Sequence, residues 1–255
     1  MAIPKTVLDS LIPPSEILIE GVSSPEEFVA FGEGFLDQVL CARAYLGVDA
    51  AVLDVGCGSG SLARALAAYL SPSGRYTGLE VNAGTVAWLQ ERYAPLTNFS
   101  FHHADVYSAF YNPTGRFTEA DYGFPFSDGV FDVVVLKSVF THMTPQGVRR
   151  YLSEIYRVLR RGGRSVITYF LLNDEARRFI SAGGCRVPLG FEYQRDPLCR
   201  VADPQVPEKV VAHDEVRMRA YNAAAGFSFW EVAYGNWCGR PSAGGLQDVM
   251  IATKA

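Results

Sequence analysis

The sequence predicts an α/β fold: a doubly wound, seven-stranded and mainly parallel sheet with helices on both faces and an antiparallel last strand. Segments with strand character alternate along the chain with segments of helical periodicity, which is the pattern of parallel sheets. Phe131–Val139 is almost continuously apolar, as expected of a strand that helices cover on both sides. Val52–Gly60 passes from an apolar strand into a glycine-rich turn, and helical spacing begins directly after it.

The composition is that of an ordinary globular domain. The 255 residues suffice for one α/β domain with insertions, and the formal charge of −4 argues against a broad nucleic-acid-binding surface. Five cysteines without CxxC spacing predict neither a disulfide framework nor a zinc site. Signal-peptide features and bilayer-length apolar runs are missing from the sequence. We therefore expect a cytoplasmic protein, a monomer or homodimer, with no membrane or nucleic-acid partner.

The first elements lead into the glycine-rich turn. Ser24 and Pro25 are typical of the N-cap and first position of a helix, which the apolar spacing extends to about Leu46. Val52–Val55 follows as the first strand, and Ser61–Leu70 is helical. A strand, a tight glycine turn and a helix N-terminus together form a nucleotide-sized site, because the first N–H groups of the helix point into the crevice.

Acidic residues stand at the ends of the next two strands. Arg75–Val81 is predicted to be the second strand, with Glu80 near its end and Asn82 as the N-cap of the following helix. A carboxylate at that position suits a ribose, because it can accept hydrogen bonds from both hydroxyls. Phe99–His103 is predicted to be the third strand, and Asp105 follows it.

Two long insertions interrupt the second half of the chain. Residues 107–126 are aromatic and punctuated by glycine and proline, and residues 173–212 combine a short helix with a proline-rich stretch. Segments of this length without regular periodicity are often functional. The periodicity predicts the remaining elements to be strand Phe131–Val139, a helix from Thr144 to Arg160 that Gly162 and Gly163 end, strand Ser165–Leu172, a helix near Asp214–Ala225, and strands Phe227–Trp237 and Leu246–Thr253.

The order of residues in the glycine loop discriminates between two nucleotide-binding families. A Rossmann dehydrogenase needs G-x-G-x-x-G or A, and counted from Gly56 the third small residue falls on Ser61. Val52–Gly60 instead resembles the first motif of class I S-adenosylmethionine (SAM)-dependent methyltransferases. In that motif an aspartate precedes the first glycine by two residues, as Asp54 does here in D-V-G-C-G-S-G.

The resemblance extends over about residues 45–172, since Glu80, Asp105, the FDVVVL strand and the turn Val158–Gly163 follow the loop in the order of the family. It implies SAM as the cofactor and S-adenosylhomocysteine as the product. The implied cofactor contacts are Asp54 before the loop; Gly56, Cys57, Gly58 and Gly60 at the methionine part; Glu80 at the ribose, with Val81 beside it; Asp105 and Val106 at the adenine; and Leu136 and Lys137 at the methionine amino end.

The best-placed candidate for a catalytic base is His142, just past the fourth strand at the carboxyl edge where ligands bind in α/β sheets. An alcohol or phenol acceptor must lose a proton during methyl transfer, which calls for a base. In the wider family a histidine here often only supports the loop, and that role is the alternative. Some relatives bind a metal through two glutamates before this histidine. Ser138 and Thr141 stand at the matching places, so we expect no metal site.

Recognition of the acceptor is expected from the insertions and from the tail Tyr234–Arg240. Their aromatic residues would form either a lid over a small molecule or sugar ring, or part of the core. These residues are Tyr107, Phe110, Tyr111, Phe117, Tyr122, Phe124 and Trp237. The segments YNPTG, FPFSDGVFD, SVFTHM and YFLLND are similar to an uncharacterised bacterial subgroup of class I methyltransferases, which implies the fold and cofactor but not the acceptor.

We therefore expect a single SAM-dependent methyltransferase domain over residues 1–255. It comprises an N-terminal cap segment and helix (1–46), a cofactor-binding core (47–172), a substrate-side insertion (173–212), and a closing helix and strands (213–255). The predicted reaction methylates a small-molecule acceptor at a hydroxyl, in a natural product or glycan. The alternatives are N-methylation of a small amine or protein side chain, and a SAM-binding module without catalysis. Ser61 and the lack of a recognisable Ser–Tyr–Lys set disfavour a nicotinamide oxidoreductase.

Overall fold

The computed structural model describes residues 3–18, 21–189, 191–193, 196–242 and 244–255. Its helices and strands in chain order are α1 Lys5–Ser10, α2 Pro25–Phe35, β1 Ala51–Val55, α3 Ser61–Tyr69, β2 Arg75–Glu80, α4 Ala83–Tyr93, β3 Phe99–His103, β4 Phe131–Leu136, α5 Pro145–Val158, β5 Leu159–Tyr169, β6 Leu171–Leu172, α6 Asp174–Ser181, β7 Phe191–Tyr193, β8 Asp196–Val201, β9 Val211–Asp214, α7 Glu215–Ala225, β10 Phe227–Ala233 and β11 Asp248–Lys254. A π-helical turn (Leu36–Cys41) follows α2, and 3₁₀ turns lie at Phe140–His142 and Pro207–Lys209.

The predicted fold class is confirmed. Within the described ranges, seven strands belong to one sheet in the order β10-β11-β5-β4-β1-β2-β3. β1 pairs in parallel with β2 and β4, and β2 pairs in parallel with β3. The last strand of the chain, β11, runs antiparallel to both β5 and β10. The sheet is therefore mainly parallel with an antiparallel last strand.

The chain divides into two compact units, Met1–Asp105 with Phe131–Val135, and Val106–Val130 with Leu136–Ala255. The first unit holds the glycine loop, and the second holds both insertions. The single domain expected over residues 1–255 stays a prediction.

In the first unit, local sequence signals set the elements. β1 is buried along its whole length between β2 and β4, which explains its run of apolar residues. The predicted caps are confirmed, because the Ser24 side chain accepts from the Glu27 N–H and the Asn82 side chain accepts from the Thr85 N–H. Helix α2 packs closely on the start of α3, where a Cβ on Gly32 would come within 2.1 Å of a backbone oxygen.

Several predicted boundaries are wrong. The helix that begins at Pro25 is α-helical only to Phe35 and continues as the π-helical turn, whose wider spacing the apolar pattern did not reveal. The fourth strand ends at Leu136, three residues earlier than predicted. Gly162 does not end a helix: α5 stops at Val158 and the chain is already extended from Leu159. Strand β10 ends at Ala233, four residues before the predicted end.

The 173–212 insertion contains more regular structure than its composition predicts. In the described part of the chain, β7, β8 and β9 form a small sheet together with β6. β6 and β9 are parallel, whereas β9, β8 and β7 are antiparallel neighbours. An apolar cluster that includes Phe170, Leu172, Leu189 and Trp237 packs in the same unit. Short strands of this kind lack periodicity of their own, because tertiary pairing stabilises them.

A helix that crosses a membrane must be both long and apolar. Across the ranges that the structure describes, none of the helices meets that requirement.

Candidate active site

The glycine loop connects β1 to α3 through left-handed backbone conformations. Gly56, Gly58 and Gly60 have φ angles of 70°, 54° and 90°, a region that favours glycine. The Gly56 N–H donates to the Leu79 carbonyl over 2.7 Å, which ties the loop to the end of β2. A Cβ on Gly60 would lie 2.8 Å from the Leu89 side chain. The loop is therefore tightly packed and admits only glycine at its last turn.

Glu80 organises the loop from the end of β2. Its side chain is almost fully buried, and one carboxylate oxygen accepts from the Gly58 N–H over 3.0 Å. The other oxygen accepts from the N–H groups of Val81 and Asn82 over 2.8 Å and 2.9 Å. These charge-assisted bonds hold the carboxylate in one orientation beside the loop. The predicted contact of Glu80 with a ribose remains a prediction, and its geometry suits one.

Asp54 has a partner that the sequence did not indicate. Its buried carboxylate accepts a hydrogen bond from the Tyr76 hydroxyl over 2.8 Å. Burial has the largest effect on the pKa of Tyr76, and the negative charge of Asp54 has the next largest. Both raise the pKa well above its ordinary value. Cys57 is buried too, and its sulfur would lie 2.8 Å from a Cβ on Gly78, so it fills space beside β2. Tyr76 and Gly78 are ordinary strand residues in sequence, and no motif marks them.

The remaining predicted cofactor contacts are divided between the two units. Asp105 is partly buried and lies two residues after the end of β3, in the unit that holds the glycine loop. Val106 and Leu136 are buried and Lys137 is partly buried, and these residues belong to the second unit. The assignment of each to the adenine or methionine end of SAM stays a prediction.

His142 lies on the 3₁₀ turn Phe140–His142 and is partly buried. Its Nδ1 lies 3.1 Å from the Glu208 carbonyl oxygen. Because a carbonyl only accepts, Nδ1 carries the proton of the neutral ring and Nε2 holds the lone pair. Burial lowers the pKa of His142 below its ordinary 6.5, against the opposing effect of backbone hydrogen bonds to Glu208 and Lys209. The Tyr111 ring meets the imidazole edge-on, with centroids 6.3 Å apart.

The turn that carries His142 begins in a strained conformation. Ser138 has a φ angle of 62°, which is uncommon for a residue other than glycine. Its N–H donates to the Thr168 hydroxyl over 2.7 Å, and its hydroxyl lies 3.1 Å from the Gln247 amide oxygen. Thr141 donates back to the Ser138 carbonyl over 3.1 Å. Strain that neighbouring groups hold in place is typical of functional turns.

The other histidines have different surroundings. His102 and His103 lie exposed on the edge strand β3. His213 is fully buried in β9. Its Nε2 donates to the Phe140 carbonyl over 2.8 Å, and its Nδ1 lies 3.7 Å from the Cys199 sulfur. His213 therefore supports the turn that carries His142, a role that the sequence does not reveal.

The aromatic residues of the insertions fall into two groups. Tyr122, Phe124 and Trp237 are buried, so the alternative that they belong to the core is correct for these three. Tyr107, Phe110, Tyr111 and Phe117 are exposed. Among the residues described, the structure contains no group of three or more His, Cys, Asp or Glu side chains that could hold a metal ion.

Solved structures of other proteins share this fold. A protein from Pyrococcus horikoshii aligns with a TM-score of 0.59 over 93% of this chain and 95% of its own, at 13% identity. A SAM-dependent methyltransferase from Methanosarcina mazei gives a TM-score of 0.52 over 83% of this chain and 95% of its own, at 23% identity. At these identities the similarity shows the fold alone, which is that of class I methyltransferases.

Sequence similarity covers the same core. Residues 52–163 match the methyltransferase domain family. The chain is 30% identical over 115 residues to a demethylmenaquinone methyltransferase of Symbiobacterium thermophilum, covering 45% of this chain and 40% of that protein. It is 35% identical over 117 residues to phthiotriol/phenolphthiotriol dimycocerosates methyltransferase 1 of Mycobacterium ulcerans, covering 46% of this chain and 36% of that protein. The matches thus span about two fifths of these relatives.

The glycine loop and Glu80, the buried acid at the end of β2, lie within the matched residues. Over residues 52–163 the chain is similar to the methyltransferase domain family, and its fold is that of class I methyltransferases, so SAM is the cofactor that this similarity implies. The residues present fit that cofactor, because the left-handed glycine backbone allows close approach and a backbone-anchored carboxylate can accept from a ribose.

Replacing Glu80 by alanine is expected to weaken SAM binding. The change removes the acceptor of the Gly58 N–H and the predicted ribose contact, and one charge-assisted hydrogen bond is worth roughly 1.5–3 kcal/mol. We therefore expect the dissociation constant to rise by about tenfold to a hundredfold in a calorimetric titration. Glu91→Ala, an exposed position on α4, is the matched control. Unchanged SAM affinity in a folded Glu80→Ala variant would remove Glu80 from the site.

Proposed function

We propose that this protein is a methyltransferase that transfers the methyl group of SAM to a hydroxyl of a small molecule, with His142 as the general base. The observation that carries the proposal is the hydrogen bond from His142 Nδ1 to the Glu208 carbonyl. It holds the ring in the tautomer whose Nε2 can accept a proton.

When bound, SAM supplies a methyl group on a positively charged sulfur and leaves as S-adenosylhomocysteine. The proton of the acceptor hydroxyl passes to Nε2 of His142 while the acceptor oxygen bonds to the methyl carbon. The electron pair of the broken carbon–sulfur bond stays on sulfur, and the imidazolium then releases its proton to water. Because burial lowers the pKa of His142, the ring is neutral at neutral pH and ready to accept.

The names of the relatives support a small-molecule acceptor, because they specify a demethylmenaquinone and phthiotriol or phenolphthiotriol dimycocerosates as the methylated compounds. We infer that this chain also acts on a small organic molecule. Its insertions are the parts of the second unit that would recognise it, because loops carry specificity on a rigid scaffold.

Matched pairs of acceptors test the proposed reaction. The protein is incubated with methyl-labelled SAM and one acceptor in each reaction. One pair of acceptors is phenol and aniline, and the other pair is benzyl alcohol and benzylamine. Label in the ether products supports hydroxyl methylation. Label only in the amine products contradicts it and identifies N-methylation. Saturable binding of SAM and S-adenosylhomocysteine without transfer across a broad panel of acceptors would support a binding module instead.

The pH dependence follows from the direction of the pKa shift of His142. A base must be unprotonated to act, so kcat/KM for a hydroxyl acceptor should rise with pH through an apparent pKa below 6.5. The rate should fall as the pH drops through that value, because the imidazole becomes protonated. Initial rates at saturating SAM, measured on both sides of pH 6.5, check this. A rate that does not change across that interval would contradict a role for His142 as base.

A further inference from the structure

The exposed aromatic residues of the 107–126 insertion sit on an ordered loop. Residues 106 and 117 form a β-bridge, and the Tyr107 N–H donates to the Phe117 carbonyl over 2.8 Å. A Cβ on Gly115 would lie 2.4 Å from the Tyr107 nitrogen, so the two sides of the loop are in close backbone contact. Even so, Phe110 is 52% exposed and Tyr111 is 36% exposed. The two adjacent rings therefore offer an exposed apolar surface that a ligand can contact.

Phe110 contacts Tyr111, and Tyr111 contacts the proposed base His142. The Phe110 and Tyr111 centroids are 6.4 Å apart, and the Tyr111 ring meets the His142 imidazole edge-on at 6.3 Å. We propose that Phe110 and Tyr111 bind the ring of an aromatic acceptor, and that the hydroxyl presented to His142 is a phenolic one. This inference rests on the proposed function and names the class of acceptor.

The polar side chains near these rings favour an apolar ring over a sugar. The Ser108 hydroxyl accepts from the Tyr111 N–H over 3.3 Å. The Asn112 amide donates to the Val106 carbonyl over 3.1 Å, and its oxygen accepts from the Thr114 hydroxyl over 3.5 Å. These groups stabilise the loop itself. A sugar needs hydrogen-bond partners for several hydroxyls, whereas an aromatic ring needs faces and edges of other rings.

The acidity of the acceptor points the same way. A phenol has a pKa of about 10, as in tyrosine. The pKa of water is about 15.7, and an aliphatic alcohol is similarly weak as an acid. A histidine whose pKa lies below 6.5 is a weak base, and it takes a proton from a phenol far more readily than from an aliphatic alcohol.

A ring-matched pair of probes tests the inference. Binding of 1-naphthol and of decahydro-1-naphthol is measured by saturation-transfer NMR in the presence of S-adenosylhomocysteine, and methyl transfer to each is measured with labelled SAM. We expect 1-naphthol to bind and to be methylated, and the saturated ring to do neither. Phe110→Leu should raise the KM for 1-naphthol about three- to tenfold, because aromatic contacts exceed simple burial by that amount. Affinity for SAM should not change.

Tyr45→Leu is the control for loss of an exposed ring, because Tyr45 is 74% exposed and lies in the other unit. Equal binding of both probes, no binding of 1-naphthol, or unchanged KM in Phe110→Leu would overturn the inference. Transfer to the saturated alcohol alone would overturn it and leave the proposed hydroxyl methylation intact. Phe110-dependent binding of 1-naphthol without transfer would support the ring site and contradict the proposed function.

Discussion

His142→Asn should lower kcat for a hydroxyl acceptor by about a hundredfold to ten-thousandfold, the usual contribution of a positioned general base. Asparagine places an N–H near the position of Nδ1, so the hydrogen bond to the Glu208 carbonyl can be kept while the accepting nitrogen is lost. The melting temperature and the dissociation constant of SAM should therefore change little. Steady-state rates, calorimetry and thermal unfolding of the same preparation measure the three quantities.

The matched control is His102→Asn, because His102 is exposed on the edge strand β3. We expect its kcat to equal that of the unmodified protein. The rise in rate through the apparent pKa of His142 should also disappear from the His142→Asn profile and persist in the control. If folded His142→Asn kept most of the wild-type kcat on a hydroxyl acceptor, the histidine would have only the loop-supporting role.

Asp248→Ala should lower the free energy of unfolding by about 3–5 kcal/mol, the cost of breaking a buried charged network. Asp248 is fully buried at the start of β11. One oxygen accepts from the Leu171 N–H and the Trp237 indole N–H over 2.8 Å and 2.7 Å. The other accepts from the Gly235 N–H over 2.8 Å and lies 3.4 Å from Arg240. Alanine would leave these donors buried without their acceptor.

Urea unfolding at neutral pH measures this effect. Burial raises the pKa of Asp248 to about 6, so the carboxylate is ionised under those conditions. Asp128→Ala is the matched control, because the Asp128 side chain is 79% exposed although it pairs with Arg157. An exposed pair contributes about 0–1 kcal/mol. A similar loss for the two variants would mean that the buried network does not stabilise the second unit.

Elements with strong local signals were predicted to within one or two residues. β1, β2 and β3 carry apolar patterns or an acidic end residue, and their observed bounds nearly match. The caps Ser24 and Asn82 were predicted because a cap is an interaction between residues three apart. Boundaries failed where the backbone does something that composition does not encode, such as the left-handed Ser138 after β4 and the extended chain through Gly162.

In the candidate site, too, some features were predicted from the sequence and others were missed. The resemblance implied that Glu80 and the glycine loop contact the same cofactor, and in the structure Glu80 accepts a hydrogen bond from the Gly58 N–H. Two contacts were missed. These are the hydrogen bond from Tyr76 to Asp54 and the support that His213 gives to the turn that carries His142. Neither residue belongs to a motif, and each reaches its partner only through folding.

By itself, the sequence determined the fold class and the placement of the glycine loop, because these depend on periodicity, turn chemistry and the spacing of a few residues. Its resemblance to class I methyltransferases implied SAM as the cofactor. Only the tertiary structure decided which nitrogen of His142 carries the proton, because the Glu208 carbonyl lies 66 residues away in the chain. It also decided which aromatic residues are core and which are exposed, since burial depends on contacts between distant segments. The small sheet of the second insertion was also decided only by the tertiary structure, because its short strands depend on the strands that they pair with.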